Sequence, residues 1–131
     1  MQSRQLERTI LVIDDDPDIR EALRDTIEDH GYRVADAASG VEALAWLRAN
    51  PPPALIFIDW NMTPMNAPQF MEEFVKEPAF SGIPVVLITA DMHASYKVQT
   101  GRYHGFLTKP VDLDLLLSVL EKLAAGGAPA N

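Results

Sequence analysis

The sequence predicts an α/β fold: a five-stranded parallel sheet with helices on both of its faces. Short apolar, β-branched segments alternate five times with segments of helical periodicity, which calls for crossover connections and hence parallel strands. Two segments, Ile10-Leu11-Val12-Ile13 and Leu55-Ile56-Phe57-Ile58, are apolar at every position, as strands buried on both faces must be. Both run straight into carboxylates, Asp14-Asp15-Asp16 and Asp59. In an open α/β sheet, ligands bind at the carboxyl ends of the strands, so these acids mark the functional edge.

The elements follow in order. Residues 1–8 are polar and read as a flexible lead-in. The first strand is Thr9–Asp14, and Pro17 suits the first helical turn, where its missing N–H costs nothing. Ile19, Ala22, Leu23, Thr26 and Ile27 then recur at helical spacing, giving one helix face to the core until His30-Gly31 ends it. Tyr32–Ala37 is the second strand. Ser39 and Glu42 have the capping-box spacing and open a helix through Asn50, with Val41, Leu44 and Leu47 as its buried stripe. Pro51-Pro52-Pro53 forces an extended lead into the central strand, Leu55–Asp59. The third helix covers Gln69–Glu77 with Phe70, Met71 and Phe74 inward, and Pro78 ends it. Pro84–Ala90 is the fourth strand, and Asp91–Gln99 carries a short helical pattern that Gly101 cuts off. Phe106–Lys109 is the fifth strand, Asp112–Ala125 the leucine-rich last helix, and residues 126–131 a tail or linker stub.

At 131 residues the chain makes one domain, placed at residues 9–125, large enough for a real core. A composition of 47% hydrophobic and 23% charged residues is that of an ordinary globular protein. The formal net charge of −8 argues against a nucleic-acid surface, which needs clustered Lys and Arg. Without cysteine there is no disulfide, thiol nucleophile or zinc–thiolate site. No apolar run approaches the ~20 residues of a membrane span, and the amino terminus lacks a signal-peptide core, so the expected setting is cytoplasmic, away from the membrane.

Four strand ends bear the chemistry: Asp14-Asp15, Asp59, Thr89 and Lys109. Mg²⁺ takes oxygen ligands and keeps several waters, so one or two carboxylates are enough. Asp15 and Asp59 are the expected ligands, with a backbone carbonyl at Asn61 as a third. Clustered acids repel, and Lys109 supplies a counter-charge. The competing account makes Asp14–Asp16 simple N-cap and first-turn acids stabilised by the helix dipole; it suits Asp16 and Asp18 well. A carboxylate beside Mg²⁺ and a lysine is also a competent nucleophile toward phosphorus, with Lys109 and the Thr89 hydroxyl neutralising the transferred group. His30, His93 and His104 show no metal-ligand spacing, and there is no glycine-rich phosphate loop or serine elbow.

Taken together, "ILVIDDDPDIREAL", "LIFIDWNM", "PVVLITA" and "GFLTKPV" resemble the receiver domain of a two-component response regulator, from Ile10 to about Leu123. Trp60-Asn61-Met62 is particularly similar to chemotaxis receivers. The resemblance implies a doubly wound, flavodoxin-like sheet in the order 2-1-3-4-5. It implies Asp59 as phosphoacceptor from a histidine kinase or phosphotransfer protein, and Asp15 as direct Mg²⁺ ligand. Asp14 would support through water and the Asn61 carbonyl would complete the protein shell. Thr89, Lys109 and the Ala90 amide would hold the phosphoryl oxygens, with Thr89 and Phe106 as the switch pair. A cis Lys109–Pro110 bond is also implied. Output would pass through the fourth helix, fifth strand and last helix, where Tyr103 and the leucines meet a target protein or a second copy. The sequence departs from the family pattern at Thr63-Pro64 and Asn66-Ala67-Pro68, beside Asp59, and at Gly101-Arg102-Tyr103.

Two other classes compete. A pseudo-receiver would be an interaction module that is never phosphorylated; the joint presence of Asp15, Asp59, Thr89 and Lys109 speaks against it. A hydrolase with an aspartyl-phosphate intermediate would need a second acid two residues after Asp59, where Asn61 stands.

Overall fold

Five parallel strands form one sheet in the order β2-β1-β3-β4-β5. The computed structural model describes residues 8–90 and 102–125; the segment expected as a fourth helix, Asp91–Gln99, lies outside them, as do residues 1–7 and 126–131. The strands are β1 (Thr9–Ile13), β2 (Arg33–Ala37), β3 (Leu55–Asp59), β4 (Val85–Thr89) and β5 (Gly105–Thr108). Helices α1 (Pro17–Asp29), α2 (Gly40–Ala49) and α3 (Ala67–Phe74) and a C-terminal helix (Leu113–Val119) connect and cover them. The C-terminal helix continues in wider, π-type turns over Leu120–Ala125. Among the described residues no helix is long and apolar enough to cross a membrane.

The sheet divides the core into two. On one face Leu11, Ile13, Ile56, Ile58, Val85 and Leu87 pack against Leu44 and Leu47 of α2 and Phe70, Met71 and Phe74 of α3. On the other, Ile10, Val12, Leu55, Phe57, Val86 and Ile88 meet Leu23 and Ile27 of α1 and Leu116 and Leu120 behind them. Alternate residues of β1, β3 and β4 thus serve opposite cores, which is why those strands are apolar throughout. β2 and β5 are edges, and their burial is mixed.

The helix starts obey local chemistry. Asp16 caps α1 by accepting from the Asp18 amide, with Pro17 at the first position. Ser39 Oγ accepts from the Glu42 amide, while Glu42 Oε1 accepts from the amide of Ala38, one residue before the cap. Asn66 and Gln69 make a complete capping box that starts α3 two residues earlier than Gln69; the helix also ends at Phe74, short of Glu77. Gly31 closes α1 with φ of 93°, a left-handed conformation natural to glycine.

Several positions differ from the sequence reading, among them Ala22 of the α1 stripe, which is exposed. Val41 is 52% exposed, and Ala43 replaces it in the buried stripe of α2. Gly40, Ala43, Leu44 and Leu47 fall at i, i+3, i+4 and i+7 and make the buried stripe, and Val41 lies off it. Tyr103, expected at an output surface, is only 8% exposed and belongs to the core beside β4. Burial pushes its phenol up to about 12. The fifth strand ends at Thr108, so Lys109 lies just beyond it.

Gly40, the first residue of α2, is in close contact with Met65 from the loop after β3. A Cβ added at Gly40 would lie 2.8 Å from Met65 Sδ and 3.2 Å from its Cβ. Replacing glycine by alanine in a helix interior gains up to ~1 kcal/mol, but overpacking a fitted contact costs about 1–3 kcal/mol. Gly40→Ala is therefore expected to lower stability by up to about 2 kcal/mol, the half-exposed Met65 side chain taking up part of the clash. A urea titration with an unchanged or higher midpoint would contradict the contact.

Candidate functional site

Register brings the chemistry together. Ile13 pairs with Ile58, so Asp14 and Asp59 stand at the same level one residue further on. Asp59 pairs with Ile88, and Thr89 with Thr108. The Lys109 amide then donates to the Thr89 carbonyl at 2.8 Å, which fixes the start of the lysine side chain over the strand ends. A one-residue slip would turn each of these side chains to the other face.

Asp14 is 1% exposed, Asp59 5% and Thr89 2%, while Asp15 faces solvent. The three carboxylates Asp14, Asp15 and Asp59 offer oxygens that all lie within 4.8 Å of one another. Lys109 Nζ is 2.9 Å from Asp59 Oδ1 and 3.4 Å from Asp14 Oδ2. Asp14 is held from several sides. Its amide donates to the Ala37 carbonyl at 3.1 Å, its Oδ1 accepts from the Asp16 amide at 2.9 Å, and its carbonyl accepts from Arg20 at 2.7 Å. Oδ2 is left without a hydrogen bond although wholly buried. Its charged partner is the Lys109 ammonium at 3.4 Å, so this buried oxygen is paired by charge but short of a hydrogen bond.

Burial raises the Asp59 carboxyl above its ordinary range; the hydrogen bond from Lys109 pulls it back, and the Asp14 charge pushes it up again. For Lys109, burial alone would favour the neutral amine. The hydrogen bond to Asp59 and the charges of Asp14 and Asp59 outweigh it and raise the ammonium above its ordinary value. Asp59 is thus an ionisable group under strain next to a firmly charged lysine.

The donor set suits a small hard cation. All three side chains offer oxygen, one ammonium stands against three carboxylates, and no His or Cys stands in the cluster. Asn61 lies exposed in the loop directly after β3, and Ala90 is exposed directly after Thr89. The ring of Phe106 is 38% exposed, in register with Leu87, two residues before Thr89. The peptide bonds Lys109–Pro110 and Thr63–Pro64 are both cis. Arg20 was not singled out by sequence reasoning; an arginine on an amphipathic helix carries no mark of its backbone target.

Comparison with known proteins gives a consistent result. The chain matches the description "Response regulator receiver domain" over residues 10–121. It is 32% identical over 120 residues to Protein PilH of Pseudomonas aeruginosa, covering 89% of this chain and 98% of that protein. It is 30% identical over 118 residues to Chemotaxis protein CheY1 of Helicobacter pylori, covering 86% and 93%. Response regulator Rre1 of Synechocystis is 33% identical over 121 residues, but the chain spans only 52% of it. Among solved structures, Vibrio cholerae chemotaxis protein CheY4 superposes with a TM-score of 0.81 at 28% identity, over 88% of this chain and 98% of that one. The response regulator protein TrrA from Thermotoga maritima, solved in complex with Mg²⁺-BeF, gives 0.78 at 27% identity, with 88% and 98% coverage.

The strain on Asp59 has a measurable sign. Its folded-state pKa is raised, so folding disfavours the ionised form and a neutral isostere removes that penalty. In the absence of divalent cations, Asp59→Asn is expected to unfold at a higher denaturant midpoint than the wild type. The advantage should shrink as the pH falls through the window just above the ordinary carboxylate range, where Asp59 itself takes a proton. An asparagine variant less stable than wild type at neutral pH would contradict the assignment.

Proposed function

This chain belongs to the family of response regulator receiver domains, modules of two-component signalling, and on that premise we propose that Asp59 accepts a phosphoryl group from a phosphohistidine of a histidine kinase or phosphotransfer protein. The observation that carries the reading is the ammonium of Lys109 lying 2.9 Å from Asp59 Oδ1 with the carboxylates of Asp14 and Asp15 alongside. In the transfer, a carboxylate oxygen of Asp59 attacks phosphorus, the P–N bond to the donor imidazole breaks, and the leaving imidazole takes up a proton. The product is an acyl phosphate on Asp59.

Each residue has a part. Lys109 is a fixed positive charge for the equatorial phosphoryl oxygens, and Thr89 and the Ala90 amide are the donors on β4's side. Asp14, Asp15, Asp59 and the Asn61 carbonyl would hold Mg²⁺, which when bound neutralises charge on the phosphoryl group and orients it for in-line attack. Asp59 sits at the end of a strand buried along its whole length, which restrains its backbone and pre-orients the nucleophile.

Incubation with acetyl phosphate and Mg²⁺, read by intact mass, is expected to add one phosphoryl group to the wild type and none to Asp59→Asn. A gain that persists in the variant would move the acceptor elsewhere, and no gain in the wild type would favour the pseudo-receiver.

Phosphorylation would be read out through Thr89 and Phe106. A phosphoryl group on Asp59 attracts the Thr89 hydroxyl as a donor, and movement of Thr89 opens space on the face it shares with Phe106. The ring is half out of the protein and gains packing by turning inward, since close-packed interiors penalise a void. Phe106 has no hydroxyl, so only packing biases it, and phosphorylation shifts the population only as far as those contacts differ. Leu113 and Leu115, 50% and 55% exposed at the C-terminal helix, are further apolar side chains open to a target or a second copy. Structures of the bare protein and of its beryllofluoride complex are expected to differ in the Phe106 rotamer and the Thr89 position. Identity at both residues would refute the switch.

A further inference from the structure

The acid pair after β1 is held by an arginine that touches no carboxylate of the site. Arg20, in the second turn of α1, donates from one terminal nitrogen to the backbone carbonyl of Asp14 at 2.7 Å. Its Nε faces Asp36 Oδ2 of β2 at 3.9 Å. Asp36 is in turn bound by Arg24, whose other terminal nitrogen reaches it at 3.1 Å. Arg24 also donates to the Val34 carbonyl and Glu28, each at 3.1 Å. The arrangement runs from the edge strand β2, through Asp36 and Arg20, to the peptide linking Asp14 and Asp15.

We propose that Arg20 is a positioning residue for the cation site: it holds the Asp14–Asp15 peptide so that both carboxylates are set before the cation arrives. The Asp14 amide and Oδ1 are already fixed by Ala37 and Asp16. The carbonyl is the remaining point about which the Asp14–Asp15 peptide can rotate, and its rotation would swing Asp15, whose side chain is exposed. The guanidinium is well suited because its planar fork serves the carbonyl and Asp36 at once. It is not a counter-ion for the site, since its contact with Asp14 is to the backbone. This inference rests on the reading of Asp14, Asp15 and Asp59 as the Mg²⁺ site.

The test is Mg²⁺ titration of Trp60 emission in the unphosphorylated protein, Trp60 being the residue next to Asp59. Partners outside the ligand shell typically alter metal affinity 10–100-fold, and Arg20→Ala is expected to raise the Mg²⁺ Kd by about tenfold. Arg20→Lys, which keeps the charge and one donor able to reach the carbonyl, is expected to recover most of that loss. Asp36→Asn, which loosens the guanidinium from behind, should give a smaller rise, and Asp15→Asn sets the scale for a lost ligand. An Arg20→Ala protein that binds Mg²⁺ as tightly as wild type, or more tightly because a nearby cation is gone, overturns the proposal. Circular dichroism establishes that the variants are folded, and a weakened Asp36→Asn protein supports the proposal even if Arg20→Ala fails to fold. Wild type that gives no saturable Mg²⁺ response defeats the site reading itself, and the positioning role with it; a wild type that binds while all three positioning variants match it defeats only the latter.

Discussion

The contact between Lys109 and the buried acids is the constraint on which the rest depends. Asp14 and Asp59 are almost fully enclosed, and ionised carboxylates are expensive to enclose without a partner. A lysine can reach both only if the strands end in step. The Asp14 and Asp59 levels follow from β1–β3 pairing, and Lys109 is brought over them by the Thr108–Thr89 register and the bond from its own amide to Thr89. Parallel pairing, strand order and register are thus requirements of the site, and the two apolar cores are what enforce them.

Lys109 does not finish the compensation. Three carboxylates against one ammonium leave two negative charges, and Asp14 Oδ2 keeps no hydrogen bond. Full burial of a large apolar side chain contributes about 1.5–3 kcal/mol, and both faces of β1, β3 and β4 carry such side chains, so the fold carries a local electrostatic cost of this kind. The cost is concentrated where a divalent cation would cancel the residual charge. A site that repelled itself less would also gain less from a cation, so the strain is linked to the affinity.

Much of this was legible in the residues. Strands β1, β3 and β4 were readable because burial on both faces leaves an uninterrupted apolar run, and the carboxyl-end acids stood out against it. The caps at Asp16 and Ser39 were readable from side-chain chemistry at fixed spacing. Val41 and Tyr103 stand elsewhere than expected for different reasons: the buried stripe of α2 runs through the small residues Gly40 and Ala43, which hydrophobicity alone does not mark, and the outward place of Tyr103 rests on family resemblance, whereas its ring lies in the core. The Asn66–Gln69 box is written in the sequence as Asn three residues before Gln, within the stretch that departs from the family pattern. Arg20 was out of reach, since its partner is a backbone carbonyl specified by tertiary placement.

The unusual loop after Asp59 is nevertheless closely determined. Its first residue donates to the Ile88 carbonyl at 2.9 Å, and the Trp60 carbonyl accepts from the Ala67 amide at 3.3 Å, closing the loop on itself. Met62 is 4% exposed in the core, Met65 seats on Gly40, and Asn66 anchors the far end as the cap of α3. The residues that depart outward are Asn61, Thr63 and Pro64, all exposed. Anchors and tip are therefore carried by different side chains. Substitutions at Thr63 and Pro64 alter the solvent-facing surface, whereas Met62, Met65 and Asn66 restrain the backbone that carries Asn61. A loop built in this way separates the exposed tip from the side chains that hold the backbone after Asp59, even though only four residues lie between Asp59 and Pro64.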